Sequence, residues 1–192
     1  MDKNKAIKIT LLGAEKTGKT IFYQYLQDFD SVNTQFDNYI ATIAASYMEK
    51  KIIYNNKKYS VEVWDTAGER KYFFLTKFFI KDSHMIFIFY DSNNKETFER
   101  AKEYFDLAKE VLDDEDEIII LVSNKYDLPI NSDEENNQDN NNVFNEEEAF
   151  EFAENNNILL SHLSTKEKFS NGVIELLNKA FREYNKKKNV EI

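Results

Sequence analysis

Residues 7–20, IKITLLGAEKTGKT, join an apolar run to a glycine-rich turn and indicate the fold of the chain most directly. Their second half, residues 13–20, matches the pattern GxxxxGK[ST], which requires a strand before it and a helix after it. In such a loop the backbone N–H groups and the helix N-terminus converge on anionic oxygens. Lys19 is predicted to reach the outer phosphates and the Thr20 hydroxyl to ligate magnesium. The motif predicts a nucleoside triphosphate site; the alternative is a glycine-rich turn with a chance Lys-Thr pair.

Glycine is rare in this chain and is concentrated in two segments. Of the four glycines, Gly13 and Gly18 lie in the loop, and Gly68 lies in WDTAG, residues 64–68. A backbone can pass close to another group at glycine because glycine has no side chain. The distribution therefore predicts that both segments approach the phosphates.

Composition limits the classes of protein. With 192 residues, 42% of them hydrophobic, the chain fits a single domain over 1–192 with a sizeable core. A net charge of −10 argues against a general nucleic-acid or anionic-membrane binder. The lack of cysteine excludes disulfides, cysteine metal sites and cysteine-borne lipid anchors. No apolar window approaches the roughly 18 residues of a membrane helix, and we expect a soluble, cytoplasmic protein without a direct lipid anchor.

Strand and helix patterns alternate along the chain, which predicts an α/β fold with a mostly parallel sheet covered on both faces. Six strands are predicted at residues 6–12, 45–54, 59–65, 84–90, 117–123 and 158–163. About five helices are predicted at 18–29, 70–82, 95–112, 145–156 and 172–187. Asn55 and Asn56 predict a hairpin between the second and third strands, which makes one strand antiparallel at the sheet edge.

Several features predict no site of their own. Residues 131–142, NSDEENNQDNNN, contain no aliphatic side chain, so we expect a solvated surface loop rather than a partner site. Residues 185–192 are expected to form a C-terminal tail. The phenylalanine-rich run 73–79 is predicted to be the buried side of a helix. His84 and His162 show no paired spacing typical of metal ligands.

The order of the motifs resembles that of one family. After the loop come Thr42 in YIATI, WDTAG at 64–68, NKYD at 124–127 and STK at 164–166, each at a strand end or in a neighbouring loop. This order resembles the Ras superfamily of small GTPases, and the stretch WDTAGERKYFFLTKFFIKDSHMIFIFYD makes the chain most similar to the Rab family. The resemblance covers residues 6 to about 184. It implies a P-loop NTPase small G domain that binds GTP or GDP with Mg²⁺.

The resemblance also implies a set of site residues. Nucleotide contacts are expected from Gly13, Glu15, Lys16, Thr17, Gly18, Lys19, Thr20, Ile21, Phe36, Thr42, Gly68, Asn124, Lys125, Asp127, Leu128, Ser164, Thr165 and Lys166. The metal is expected at Thr20 and Thr42, with Asp65 acting through water. Catalytic roles are expected for Glu69, Lys19 and Gly68. Phe36 is the candidate to stack beside the base, with Phe29 as its competitor, and core packing is the alternative for both.

The NKYD motif indicates which base is bound. Asp127 can accept two hydrogen bonds from the N1–H and the exocyclic amine of guanine, and adenine offers no such donor pair. By resemblance, Asn124 and Lys125 brace the loop, while the amide of Thr165 and the side chain of Lys166 complete the pocket. The alternative is that Asn and Asp only form a turn after the strand. Thr165 stands where the family usually has alanine, a change expected to have little effect on a main-chain contact.

By resemblance, the bound phosphate controls two loops. Thr42 would ligate magnesium only when the γ-phosphate is present, and Gly68 would present its amide to that phosphate. Loss of the phosphate then releases both loops. Effectors, exchange factors and activating proteins are expected to bind the switch regions 33–48 and 67–82. The run from Thr20 to Thr42 is about four residues longer than the family pattern.

Three residues depart from the family pattern and place hydrolysis in question: Glu69, and Glu15 with Lys16 in the phosphate loop. Glu69 stands where the family has the glutamine that orients the attacking water, and Glu15 stands where a small residue faces the γ-phosphate. Carboxylates beside that phosphate would repel it. The alternative is that both point into solvent. The sequence therefore supports either a slow GTPase switch in vesicle trafficking or a catalytically deficient nucleotide-binding scaffold; NKYD disfavours an ATP-dependent kinase. We expect a monomer that reaches endomembranes through partners.

Overall fold

The computed structural model describes residues 6–28, 42–112, 116–126, 144–165 and 170–188. Its strands are β1 (Ile7–Gly13), β2 (Ala45–Tyr54), β3 (Lys57–Thr66), β4 (Met85–Asp91), β5 (Ile118–Asn124) and β6 (Leu159–His162). Its α-helices are α1 (Lys19–Gln27), α2 (Thr76–Ile80), α3 (Lys95–Val111), α4 (Glu146–Asn155) and α5 (Ser170–Lys187), and a 3-10 helix spans Arg70–Leu75. In the part of the chain so described, no helix is both long and apolar enough to cross a membrane.

The strands form one six-stranded sheet in the order β2-β3-β1-β4-β5-β6. The β2–β3 pair is antiparallel, and the other neighbouring strands run parallel. Tyr54 pairs with Lys57 across a two-residue turn, where Asn55 and Asn56 have φ of 47° and 59°. Positive φ at both central positions is the geometry that tight hairpins favour. The predicted α/β fold with one antiparallel edge strand is confirmed.

Helices cover both faces of the sheet, as predicted. On β4, Phe87 and Phe89 point to the face that packs against α1 and α5. Ile86 and Ile88 point to the opposite face, against α3 and α4. All four side chains are fully buried, because a parallel strand between two helical layers has no solvent-facing side. This double burial explains why β4 appears in the sequence as a continuous apolar run.

The segment after β3 differs from its prediction. A 3-10 helix occupies residues 70–75, and the α-helix that follows is only five residues long. Phe74 and Phe78 are 66% and 74% exposed, so the prediction that residues 73–79 form a buried helix side is wrong for these two. Phe73 and Phe79 do pack inward, against Tyr104 and Trp64. Adjacent residues of a helical turn face different directions, and so each Phe-Phe pair divides between core and surface.

The predicted helix over 172–187 is confirmed at its C-terminal end, and it overlaps the predicted tail of 185–192. The helix α5 continues to Lys187, so residues 185–187 belong to the helix rather than to a tail. Asn185 is buried and accepts a hydrogen bond from the hydroxyl of Tyr59 at 3.1 Å. This contact joins the last helix to β3 and gives residue 185 a place in the packed structure.

We expect Gly13→Ala to destabilise the domain by at least about 2 kcal/mol. Gly13 has a φ of 136°, and an added Cβ would lie 2.2 Å from the backbone oxygen of Phe89 on the neighbouring strand. Urea denaturation of the purified variant measures the effect. Gly172→Ala is the matched control, since the close contact of its Cβ would be with the Cδ1 of Leu163 at 2.9 Å, the end of a side chain that can shift, and its backbone neighbours would lie at ordinary distances of 3.9 and 4.0 Å. Equal stability of Gly13→Ala and the parent would contradict the prediction.

Candidate functional site

The sheet order places the candidate site at the carboxyl end of β1. β1 lies between β3 and β4 in the sheet, so the strand order reverses direction at β1. Open α/β sheets bind ligands at such a reversal of strand order, in the crevice beyond the carboxyl ends of the strands. Residues 13–20 begin at this point and lead into α1. The predicted loop therefore has the strand and helix that its motif requires.

Lys19 lies inside the loop, and its side chain is held by backbone groups. Its Nζ donates hydrogen bonds to the carbonyl oxygens of Gly13 at 2.9 Å and Ala14 at 2.7 Å. The Thr17 hydroxyl donates to the same Ala14 oxygen at 2.8 Å. These bonds curl the loop around a cation that is only 4% exposed. A concave backbone around a buried ammonium is suited to anionic oxygens.

Burial lowers the pKa of Lys19 to about 8. The negative charges of Asp65 and Glu15 oppose this change, while the positive charge of Arg100 adds to it. A cation that has lost its water gains from an anion placed beside it. Phosphate oxygens at the loop would therefore favour the charged form of Lys19 and would themselves be stabilised by it.

Three oxygen-bearing side chains meet next to Lys19. The hydroxyls of Thr20 and Thr42 donate to the same Oδ2 of Asp65, at 2.8 and 3.1 Å, and lie 3.0 Å from each other. Asp65 is fully buried, and burial raises the pKa of its carboxyl group. Its Oδ1 has no hydrogen-bond partner within the described part of the chain. Hard oxygens with one unsatisfied carboxylate atom fit magnesium, because a metal-bound water can donate to that atom.

Asn124 connects three of the sequence motifs. Its Nδ2 donates to the backbone oxygen of Thr17 at 2.7 Å and to the hydroxyl of Thr165 at 3.2 Å. The backbone N–H of Thr165 donates to its Oδ1 at 3.2 Å. Asn124, Ser164 and Thr165 are buried. The phosphate loop, NKYD and STK are far apart in the chain, but they therefore meet at the side-chain amide of Asn124.

Sequence reasoning missed Asp91, which binds the next residue of NKYD. Its Oδ2 lies 2.6 Å from the Nζ of Lys125, whose φ is 62°. The backbone N–H of Ser92 also donates to the backbone carbonyl oxygen of Asn124 at 2.9 Å. An acidic residue that directly follows the apolar run of β4 is the sequence signal that could have identified it. Asp91 and Ser92 thus hold the NKYD segment from the neighbouring strand.

Some of the remaining predicted residues are exposed or half-buried, and the others lie outside the described residues. Glu15 and Lys16 are exposed, and Ile21 is half-buried in the first turn of α1. Five predicted or competing residues lie outside the described residues: Phe29, Phe36, Asp127, Leu128 and Lys166. So does the low-complexity segment 131–142.

Gly68 touches the phosphate loop, and Glu69 forms an ion pair with Lys71. A Cβ on Gly68 would lie 2.3 Å from the backbone nitrogen of Glu15, so only glycine fits this approach. The carboxylate of Glu69 lies 2.6 Å from the Nζ of Lys71. Glu15 is exposed, and the side chain of Glu69 is 33% exposed. That either carboxylate faces the γ-phosphate stays a prediction. Sequence reasoning also missed Arg100, which donates to the Gly68 carbonyl at 3.2 Å.

The sheet order, the loop and the converging motifs define a P-loop nucleotide-binding domain of the small G-protein type. The chain belongs to the Ras family, whose model matches residues 8–186. Within that family it is most similar to Rab proteins.

Three relatives illustrate the similarity. The chain is 32% identical over 170 residues to the Ras-related protein Rab-21 of Geodia cydonium, covering 88% of this chain and 66% of that protein. It is 33% identical over 127 residues to the putative ras-related protein Rab-5B of Dictyostelium discoideum, covering 66% and 56%. It is 28% identical over 178 residues to the Ras-related protein Rab-17 of Mus musculus, covering 92% and 74%. The aligned part is thus less than two thirds of the length of the first two relatives.

Proposed function

We propose that this chain is a guanine-nucleotide switch that binds GTP or GDP with Mg²⁺. The observation that carries the proposal is the meeting of Thr20, Thr42 and Asp65 beside the buried Lys19. One of these groups belongs to the phosphate loop, one precedes β2, and one ends β3. A metal at this point would therefore connect the nucleotide to the first switch region through Thr42 and, through Asp65, to the strand that leads into the second.

A backbone hydrogen bond also joins the two switch regions directly. The amide of Ala67 donates to the carbonyl of Ala44 at 2.9 Å, and Ala44 has a φ of 61°. Thr42 is two residues from this bond, and Gly68 is one residue from it. Movement of either segment would therefore be transmitted to the other. This coupling supports a switch in which partners detect the nucleotide state through residues 33–48 and 67–82.

Each residue of the site has a distinct role in the proposal. Lys19 and the loop amides bind the outer phosphates, while Thr20 and Thr42 ligate magnesium, which neutralises phosphate charge when bound. Asp65, whose Oδ1 has no hydrogen-bond partner among the described residues, would help to hold the metal through water. Asp127 selects guanine, and Asn124 holds the base-binding segment on the phosphate loop.

We further propose that intrinsic hydrolysis is slow. A carboxylate at Glu69 cannot copy the donor and acceptor face of glutamine, and its ion pair with Lys71 draws it toward another partner. Ras without an activating protein hydrolyses GTP at about 3–5 × 10⁻⁴ s⁻¹. We place this chain at or below that rate. The second candidate, a nucleotide-binding scaffold without turnover, is favoured by the same ion pair.

In cells, we propose a Rab-like role in vesicle trafficking. The support is the similarity to Rab proteins and the switch geometry just described. The protein would act as a monomer in the cytoplasm and reach endomembranes through effector, exchange-factor and activating proteins. Phe74 and Phe78, exposed in the second switch region, offer apolar surface for such contacts.

We expect Glu69→Gln to raise the rate of GTP hydrolysis while changing GTP affinity only modestly. An amide can both accept from the attacking water and donate to a phosphate oxygen, and it removes one negative charge. Glu15→Gly combined with it is expected to raise the rate further, without strict additivity because both sites face one phosphate. The measurement is phosphate release in a single turnover of preloaded GTP with magnesium.

Lys71→Gln is the matched control for this series. It breaks the ion pair of Glu69 but keeps the carboxylate. We expect no gain in hydrolysis from it. If the parent is several-fold faster than unaided Ras, or if Glu69→Gln slows it, Glu69 is a working catalytic residue and the slow-switch proposal is wrong. A parent that holds GTP with magnesium but releases no phosphate would support the scaffold.

A further inference from the structure

Arg100 lies on α3, and its guanidinium binds a backbone oxygen of the candidate site. Its Nη2 donates to the backbone oxygen of Gly68 at 3.2 Å and lies 3.5 Å from the hydroxyl of Tyr104. The guanidinium carbon is 5.8 Å from the centre of the Tyr104 ring. Its Nε is buried without a hydrogen-bond partner among the residues that the structure describes.

Two neighbouring cations form ion pairs with glutamates. Lys102, on the same helix, lies 2.7 Å from Glu99, and Arg70 lies 3.4 Å from Glu103. Arg100 makes no such pair within the described ranges. A partly buried guanidinium without a carboxylate partner is unfavourable for stability alone. Such departures from ordinary surface pairing are expected at functional positions.

The bond from Arg100 orients one particular peptide. The carbonyl of Gly68 and the N–H of Glu69 belong to the same planar unit, so a donor that holds the oxygen also sets the direction of the chain into residue 69. On its other side, Gly68 lies against the phosphate loop, where an added Cβ would be 2.4 Å from the carbonyl carbon of Ala14. The peptide is therefore enclosed between α3 and the loop.

We propose that Arg100 is a positioning residue that holds the Gly68–Glu69 peptide against the phosphate loop and so places residue 69 for hydrolysis. The inference rests on the proposed GTPase function. Arg100 contacts the Gly68 backbone rather than the phosphate loop itself, so its effect on hydrolysis passes through residues 68 and 69. Among the described residues, the hydrogen bonds of Arg100 go to Gly68 and Tyr104 and not to Thr20, Thr42 or Asp65. Its charge reaches Lys19 only through space, so we expect GTP binding to depend on Arg100 weakly.

The test uses the Glu69→Gln protein as its parent, because the Glu69 carboxylate is proposed to contribute little to hydrolysis and the amide supplies the group that orients water. Arg100→Gln and Arg100→Lys in this background are compared with that parent and with Lys102→Gln, a control that removes a cation from the same helix. Three quantities are measured: GTP affinity, single-turnover hydrolysis, and the rate of trypsin cleavage after Arg70 and Lys71, identified by mass spectrometry. The cleavage rate reports how firmly the segment is held, without any need for turnover.

For Arg100→Gln we expect hydrolysis about ten- to a hundredfold slower, the loss typical of a misplaced reacting group. We also expect GTP affinity within about twofold of the parent and faster cleavage after residues 70 and 71. Arg100→Lys, which keeps a charged donor, should recover part of both effects. Lys102→Gln should match the parent in all three measurements.

Two outcomes would overturn the proposal outright. In one, Arg100→Gln equals the parent in both hydrolysis and cleavage. In another, its hydrolysis falls only in proportion to its GTP affinity, as a general loss of structure would produce. If the parent binds no GTP, the proposed function fails, and the cleavage rates alone decide whether Arg100 holds the peptide: unchanged cleavage overturns that role and faster cleavage supports it.

Discussion

Lys19→Ala is expected to lower the affinity for GTP and GDP by at least about a hundredfold. Each hydrogen bond from a charged donor contributes about 1.5–3 kcal/mol, and each 1.4 kcal/mol corresponds to a factor of ten, so the loss of two such bonds to phosphate oxygens corresponds to at least about a hundredfold. Lys19 is also the buried cation around which the loop is curled, with its Nζ within 3 Å of two loop carbonyls. Removing it leaves the phosphates without their principal charge partner in the loop.

Isothermal titration calorimetry with GDP and magnesium measures the effect directly. Lys109→Ala is the control, because it removes a lysine from an exposed position of α3. Its affinity should equal that of the parent. Unchanged affinity of Lys19→Ala would refute the assignment of the loop as the phosphate site. Urea denaturation of both variants in the absence of nucleotide separates a loss of binding from a loss of folding.

Asp127→Asn is expected to weaken GTP and GDP by about a hundredfold or more and to improve binding of xanthosine nucleotides. The carboxylate accepts from two guanine donors, whereas the amide of asparagine would place a donor against them and leave buried groups unpaired. Xanthine carries a carbonyl where guanine has its amine, and that carbonyl accepts from the new amide. The change therefore alters specificity rather than simply removing a contact.

Competition against fluorescent GDP by GTP, xanthosine triphosphate and ATP measures this specificity. Asp116→Asn is the matched control, because Asp116 is an exposed aspartate that pairs with Lys188 away from the site. It should retain the parent's preference for GTP. In the parent, displacement of GDP by ATP as readily as by GTP would disprove the guanine assignment. The contacts of Asn124 with the phosphate loop and of Lys125 with Asp91 support the prediction. Asp127 itself lies outside the described residues.

Features that depend on near neighbours in the chain were predictable from the sequence. The β4 strand is a run of buried apolar residues between polar ends, and its predicted bounds of 84–90 compare with Met85–Asp91. The hairpin required only Asn55 and Asn56, because positive φ at two adjacent residues is a local property. The phosphate loop has a motif whose spacing carries its own chemistry.

Other features required contacts between distant parts of the chain. The five-residue α2 and the exposure of Phe74 depend on how much of α3 and the sheet the segment can cover, which spacing does not reveal. Asn124 binds the backbone of a residue 107 positions away, and Arg100 binds one 32 positions away. A sequence pattern records which residue types are present, but a side chain's partner is determined by the path of the backbone that carries it.

The chain's order of motifs was therefore enough to indicate a Ras-type α/β domain and to predict which residues would form its phosphate, metal and base sites. Only the folded structure showed that Thr20, Thr42 and Asp65 meet at one carboxylate oxygen, and that Glu69 turns toward Lys71. The reason is physical. Secondary structure follows from local backbone preferences and burial, whereas the direction of a polar side chain depends on which charges and hydrogen-bond partners packing brings within about 3 Å of it.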